Sequence, residues 1–280
     1  MRRVNFENEY NNRKRVREHG ELTERWDKAA DDFRNAAADR SELDIAYGDG
    51  ERHHYDLFQP EERADEAQLI AFIHGGYWQR GDRKNFSCIA EPLTKAGFAV
   101  ALPSYSHCPD VGVMDIVAEM RAFVVALHKK TGRKPLVVGH SAGGHLAASM
   151  LTTDWSEHGS NHEDLVTDAY AISGVFQLRP LLRTSINDAL ELDKDAADAA
   201  SPLLWDAPKE GRRLVAAVGA LESREFIRQS LEMAGAWGKA GATTECVVIP
   251  DANHFTVLDH LMTPGNGVFA RVADMAAARG

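Results

Sequence analysis

The sequence predicts an α/β fold, a largely parallel sheet flanked by helices. Three observations carry this reading. Short apolar runs rich in β-branched and aromatic residues recur along the chain, helical spacing fills the segments between them, and two of the runs are apolar throughout rather than alternating.

The elements follow in chain order. Residues 1–39 are polar and mixed in charge, with Phe6, Tyr10, Val16, Leu22, Trp26 and Phe33 as intermittent anchors, which predicts a helical arm lying over a core, a solvated arm being the alternative on composition. From residue 41 the strand-like runs LDIAY, HYDLF, LIAFIH, FAVALPSY, LVVGHS, DAYAISG, LVAAVG and CVVIP take over. LIAFIH and LVVGHS are the runs apolar throughout, as central strands buried on both faces should be. In 113–127, Val113, Ile116, Val117, Met120, Phe123, Val124 and Leu127 fall at helical steps, and Phe226, Ile227, Leu231, Ala234 and Trp237 repeat the pattern. The stretch 176–208, rich in Asp, Ala and Leu, is long for a connection and is expected to form short helices as a cap. The whole, 1–280, reads as one domain.

Composition limits the function. With 280 residues, 44% hydrophobic and 26% charged, the chain can bury a large core. A net charge of −10 disfavours nucleic acid and anionic membrane as partners. Cys88, Cys108 and Cys246 are too few and too scattered for a disulfide framework, so they read as reduced, partly buried thiols. Basic residues near the start (Arg2, Arg3, Arg13, Lys14, Arg15, Arg17) are followed by no apolar segment, and no stretch approaches a membrane span, so the expectation is a cytoplasmic protein. A homodimer is compatible with the sequence. His53 and His54 are adjacent, and His158 and His162 lack the Glu of a zinc-protease helix, so no metal and no cofactor is expected.

The chemistry concentrates in GHSAG at 139–143, after an apolar strand and before the helix-like HLAASML. That is the strand, tight turn, helix context in which a serine is held at the apex of the turn, flanked by glycines that lack a clashing Cβ. A serine hydroxyl needs a base, and the base needs an orienting acid. Downstream, Glu222 follows the run LVAAVG, and His254 follows CVVIP, in the order Ser, acid, His. Asp251, three residues before His254, is the rival acid. His140 and His260 read as structural or solvated.

Attack by Ser141 on a carbonyl creates an oxyanion that needs N–H donors at about 3 Å; losing one typically costs about 2.7–4 kcal/mol. Ala142, after the serine, should supply one, and Gly75 and Gly76 of HGGYWQRGD the others, since bare backbone can approach the substrate closely. His74 reads as loop scaffolding.

These residues together resemble kynurenine formamidase (arylformamidase) of the α/β-hydrolase superfamily. The likeness runs through HGGYWQ, PLTKAGFAVALPSY, GHSAGGHLAASML with DW soon after, ISGVFQL, GALESREFIRQS and NHF, with the EYNNR arm and YGDG alongside. It implies Ser141 as nucleophile, His254 as base, Gly75 and Gly76 in the oxyanion hole, and Glu222 at the acid position, where the family usually has Asp. Gly144 stands where Ala is common. The implied reaction is hydrolysis of N-formylkynurenine to kynurenine and formate. The residues alone reach only acyl transfer to water through an acyl-enzyme; with the resemblance the expected substrate is a small aromatic amide, the alternative being a carboxylesterase or a hydrolase of another N-acyl or enamide metabolite. Tyr77 and Trp78 are the expected substrate walls, with Phe176, Trp205 and Phe255 as further candidates.

Overall fold

A computed structural model describes residues 4–159 and 164–279. Arg2, Arg3 and His162 lie outside the described residues. The arm forms α1 (Phe6–Tyr10), α2 (Asn12–Arg15) and α3 (His19–Ala36). Then come β1 (Ser41–Ala46), β2 (His54–Phe58), β3 (Leu69–Ile73), α4 (Ala90–Lys95), β4 (Ala99–Pro103), α5 (Val113–Thr131), β5 (Leu136–His140), α6 (Ala142–Leu151) and β6 (Asp168–Ile172). Two short helices, α7 (Asn187–Leu190) and α8 (Lys194–Ala199), precede β7 (Arg213–Gly219), α9 (Arg224–Lys239), β8 (Thr243–Ile249), α10 (Val257–Met262) and α11 (Gly267–Ala277).

Every strand-like run of the sequence becomes a strand of one eight-stranded sheet, in the order β1-β2-β4-β3-β5-β6-β7-β8. β1 and β2 pair antiparallel, as do β2 and β4, and the remaining pairs are parallel. β3 and β5 sit in the middle and are buried along their whole length, which is why their sequences do not alternate.

Side chains still alternate between faces. On β3, Leu69, Ala71 and Ile73 join Met120, Phe123, Leu146, Met150, Phe226 and Trp237 from α5, α6 and α9. Ile70 and Phe72 point the other way, to Trp26, Phe33, Leu93, Leu258 and Val272 from α3, α4, α10 and α11. The arm therefore belongs to a core: Tyr10 packs in the first cluster, Trp26 and Phe33 in the second. On α9 one position departs from the expected stripe. Leu231 is 53% exposed, and the buried face runs through Phe226, Ser230, Met233, Ala234 and Trp237 instead.

Among the described residues, no helix is long and apolar enough to cross a membrane. Cys88 and Cys108 are buried and Cys246 is half-buried, all as free thiols.

Candidate active site

The parallel strands all present their C-terminal ends to one edge, where the connecting loops gather the chemistry. Between β5 and α6 the chain turns so sharply that Ser141 adopts φ 57°, ψ −118°. The flanking glycines permit this: a Cβ on Gly139 would lie 2.0 Å from the Gly143 carbonyl oxygen, and one on Gly143 would lie 1.9 Å from that of Ile73. The strained backbone projects the Ser141 hydroxyl toward His254.

His254 Nε2 lies 3.0 Å from Ser141 Oγ, and its Nδ1 lies 2.7 Å from Glu222 Oε2. Ser141, His254 and Glu222 are buried to 2%, 5% and 7% exposure. Nδ1–H donating to the carboxylate leaves Nε2 as the lone-pair acceptor that the serine proton requires. Glu222 is fixed in turn: its Oε1 accepts from the Ser173 hydroxyl at 2.5 Å and from the Gly219 N–H at 2.8 Å. Asp251, the rival acid, is exposed, at φ 56°. Among the described residues, His254 Nδ1 has Glu222 as its hydrogen-bond partner.

The loop after β3 closes over the serine. Gly76 adopts φ +123°, and a Cβ there would lie 2.1 Å from the Arg80 carbonyl oxygen; one on Gly75 would lie 2.9 Å from that of His140. Both positions thus demand glycine. Among the described residues the N–H groups of Gly75 and Gly76 have no protein acceptor, and the Ala142 N–H, first in α6, has none within its helix.

The loop is held from several sides. The Tyr105 hydroxyl donates to the His74 carbonyl at 3.0 Å, Arg52 to the Gly81 carbonyl at 2.6 Å, and the Tyr77 hydroxyl to the Tyr10 carbonyl at 2.6 Å. His74 is indeed scaffolding, sandwiched between Tyr105 (ring centroids 4.4 Å apart) and Phe86 (5.6 Å), with Nδ1 donating to the Gly75 carbonyl at 2.7 Å.

Above Ser141 lies a cavity of about 450 Å³, walled by Trp26, Tyr77, Phe86 and Phe255 and floored by Gly75, Gly76, His140, Ser141 and His254. Tyr77 and Phe255 both line the cavity. Trp78 is a correction. Tyr77 and Trp78 are consecutive left-handed residues, φ 53° and 55°, and the turn sends Trp78 into the core. There it is fully buried, edge-on to His145 at 4.9 Å, and does not line the cavity. Phe176 is likewise fully buried, and Trp205 lies against a different cleft.

Other contributors escape sequence reasoning. Asn11, Asn12, Arg13, Thr23, Trp26 and Asp27 bring the arm into the cavity wall. His140, read as structural or solvated, is buried beside the relay, and its Nε2–H donates to the His254 carbonyl at 2.8 Å. Ser173, at the end of β6, binds the acid. Its position after a central strand was the available signal, since such ends face the site. Among the described residues no His, Cys, Asp and Glu group is arranged to hold a metal ion.

Burial lowers the proton affinity of four histidines, His107 among them. His74 and His145 are each pushed down to about 4, and His140 falls well below its ordinary 6.5, through burial first and the neighbouring His254 second. The native state resists protons that the unfolded chain binds, so their stabilisation is complete above pH 6.5 and is lost as pH falls toward 4. Between pH 7.5 and 5 the melting temperature should fall by roughly 10 °C. Calorimetry across that window checks this, and a flat profile contradicts it.

Comparison with known proteins gives the family and the fold. A protein-family profile described as BD-FAE matches residues 55–216, more than half of the chain. A kynurenine formamidase of Danio rerio is 30% identical over 79% of this chain and 76% of its own length. The chain belongs to the kynurenine formamidase family. A kynurenine formamidase of Drosophila melanogaster shares 28% identity over 87% of this chain and 81% of its own. A crystal structure of a provisionally named thioesterase from Silicibacter sp. TM1040 superposes with a TM-score of 0.85 at 33% identity, covering 96% of this chain and 99% of that one. This member of the formamidase family is thus a hydrolase with the α/β-hydrolase fold and a serine-hydrolase constellation. The carboxylate against His254 Nδ1 is that of Glu222, seated by Ser173 and Gly219.

Proposed function

We propose that the chain hydrolyses an aryl formamide, N-formylkynurenine or a close analogue, to the free aromatic amine and formate. The observation that carries this is the Ser141–His254–Glu222 hydrogen-bonded relay, at 3.0 and 2.7 Å, opening into an aromatic-walled cavity. The formamidase relatives supply the substrate class.

In the proposed cycle His254 Nε2 takes the Ser141 proton as Oγ attacks the formyl carbon, and Glu222 stabilises the imidazolium. The N–H groups of Gly75, Gly76 and Ala142 hold the developing oxyanion. Collapse breaks the C–N bond, and His254 returns its proton to the leaving aromatic amine, giving a formyl ester on Ser141. Water, deprotonated by His254, attacks that ester, and formate departs as the proton returns to Oγ. Tyr77, Trp26, Phe86 and Phe255 offer flat surfaces for the aromatic ring.

A second reading, hydrolysis of an ester or thioester by the same groups, is favoured by the thioesterase name of the structural relative. Side-by-side kcat/KM values decide between them. The purified protein should release formate and kynurenine from N-formylkynurenine with a kcat/KM above that for short p-nitrophenyl esters. A preference for the esters by orders of magnitude overturns the formamidase reading.

A further inference from the structure

The cavity above Ser141 holds more hydrogen-bond donors than the protein has acceptors for. Asn12, Arg13, Gln79 and Arg80 all line it. Asn12 is 5% exposed, and its Nδ2 has no acceptor; Gln79 Nε2 is likewise buried and unpartnered. Among the described residues neither guanidinium, Arg13 nor Arg80, meets a carboxylate. They lie near enough to repel, for Arg80 is held below its ordinary value by burial and then by the charge of Arg13.

Of the neighbouring acids, Glu7 is held by other residues, while Asp27 stands on the same cavity wall, paired with Asn85 there. Glu7 accepts from Lys14, Asn11 and Ser185, and Asp27 accepts from the Asn85 amide at 2.8 Å. Buried donors without acceptors are costly, and a ligand that supplies an acceptor to the amides and a negative charge to the two exposed guanidiniums satisfies both.

We propose that Arg13 and Arg80, with the amides of Asn12 and Gln79, bind a carboxylate carried by the substrate. The site then selects acid-bearing aromatic acyl compounds over their neutral counterparts. This rests on the hydrolase reading of Ser141 above, and not on the formamide as the bond cleaved. The shared chemistry is that of an oxyanion. A carboxylate fits better than a phosphate because the cavity, about 450 Å³ with aromatic walls, suits a compact ring-bearing acid. The chain's net charge of −10 also opposes a polyanion. Part of this subsite comes from the arm, which thereby takes part in specificity.

The test uses matched pairs on the full chain. One pair is 4-(2-formamidophenyl)-4-oxobutanoate and its primary amide; the other is 3-(4-acetoxyphenyl)propanoate and its primary amide. The wild type should prefer the acid of each pair by roughly 10-fold or more in kcat/KM, and the double variant Arg13→Gln, Arg80→Gln should erase that preference, chiefly through KM. Arg13→Lys with Arg80→Lys, which keeps the charge, should restore part of it. An indifferent wild type, or a preference unchanged in the Gln variant, overturns the proposal.

If the formamide pair is inert while the ester pair shows the arginine-dependent preference, the formamidase reading falls and the carboxylate site stands. Titration calorimetry with 3-phenylpropanoate and with phenyl phosphate reads the site without turnover. Binding of 3-phenylpropanoate that weakens in the Gln variant supports the proposal, and tighter, arginine-dependent binding of phenyl phosphate overturns the carboxylate assignment.

Discussion

Ser141→Ala is expected to reduce kcat by roughly five to six orders of magnitude and to abolish labelling by a fluorophosphonate. The substitution removes the one atom that His254 Nε2 faces at 3.0 Å. It leaves the turn intact, because the strain at φ 57° is set by close packing of backbone around Gly139 and Gly143 rather than by the hydroxyl. The melting temperature should therefore stay near the wild-type value. Mass spectrometry of the labelled protein with matched kinetics checks both parts. Persistent labelling of the alanine variant would place the nucleophile elsewhere.

Glu222→Gln is the second large effect, a loss of roughly 10⁴-fold in kcat. The reason lies in which amide atom can face each neighbour. Oε1 receives two hydrogens, from the Ser173 hydroxyl and the Gly219 N–H, so an NH₂ group in that place would meet the backbone N–H head-on. The amide oxygen must occupy it, which turns the NH₂ toward His254 Nδ1. Nδ1 then has to accept, the ring proton moves to Nε2, and the atom facing Ser141 can no longer take a proton. Asp251→Asn should keep nearly full activity, since Asp251 is exposed and an asparagine tolerates its left-handed backbone. Paired kcat measurements on the two variants decide the matter. Loss of activity in Asp251→Asn together with full activity in Glu222→Gln would reverse the assignment.

Much of this was legible in the sequence, because the informative signals were local. The strands were visible as short apolar runs, and the central pair as runs without alternation, since burial on both faces removes the polar half of the pattern. The serine turn was legible because its backbone geometry admits only glycine at fixed offsets. Glu222 could be chosen over Asp251 from its place after β7, where the sheet presents its loops.

What escaped was set by contacts distant in sequence or by side-chain direction. Trp78 is adjacent to a cavity residue, but two successive left-handed residues send the neighbouring rings to different destinations, a detail that composition does not encode. Asn12 and Arg13 look like ordinary polar positions of a solvated arm. Only the docking of α1 to α3 on the sheet makes them part of the cavity. Leu231 matched a helical step and still faces water, because its neighbouring stripe packs instead.

The Tyr10 ring has a consequence for the order in which the molecule becomes competent. Its hydroxyl donates to Glu225 at 2.9 Å and accepts from the Gln229 amide, across 215 and 219 residues of chain, while its carbonyl accepts from the Tyr77 hydroxyl beside the glycine pair. Contacts of such separation close late in folding, after the loop entropy between them has been overcome. During synthesis, the tyrosine waits for partners made 215 and 219 residues later. The glycine loop, the arm and α9 are thus tied through one residue, and a nascent chain that ends before Glu225 lacks both that tie and His254.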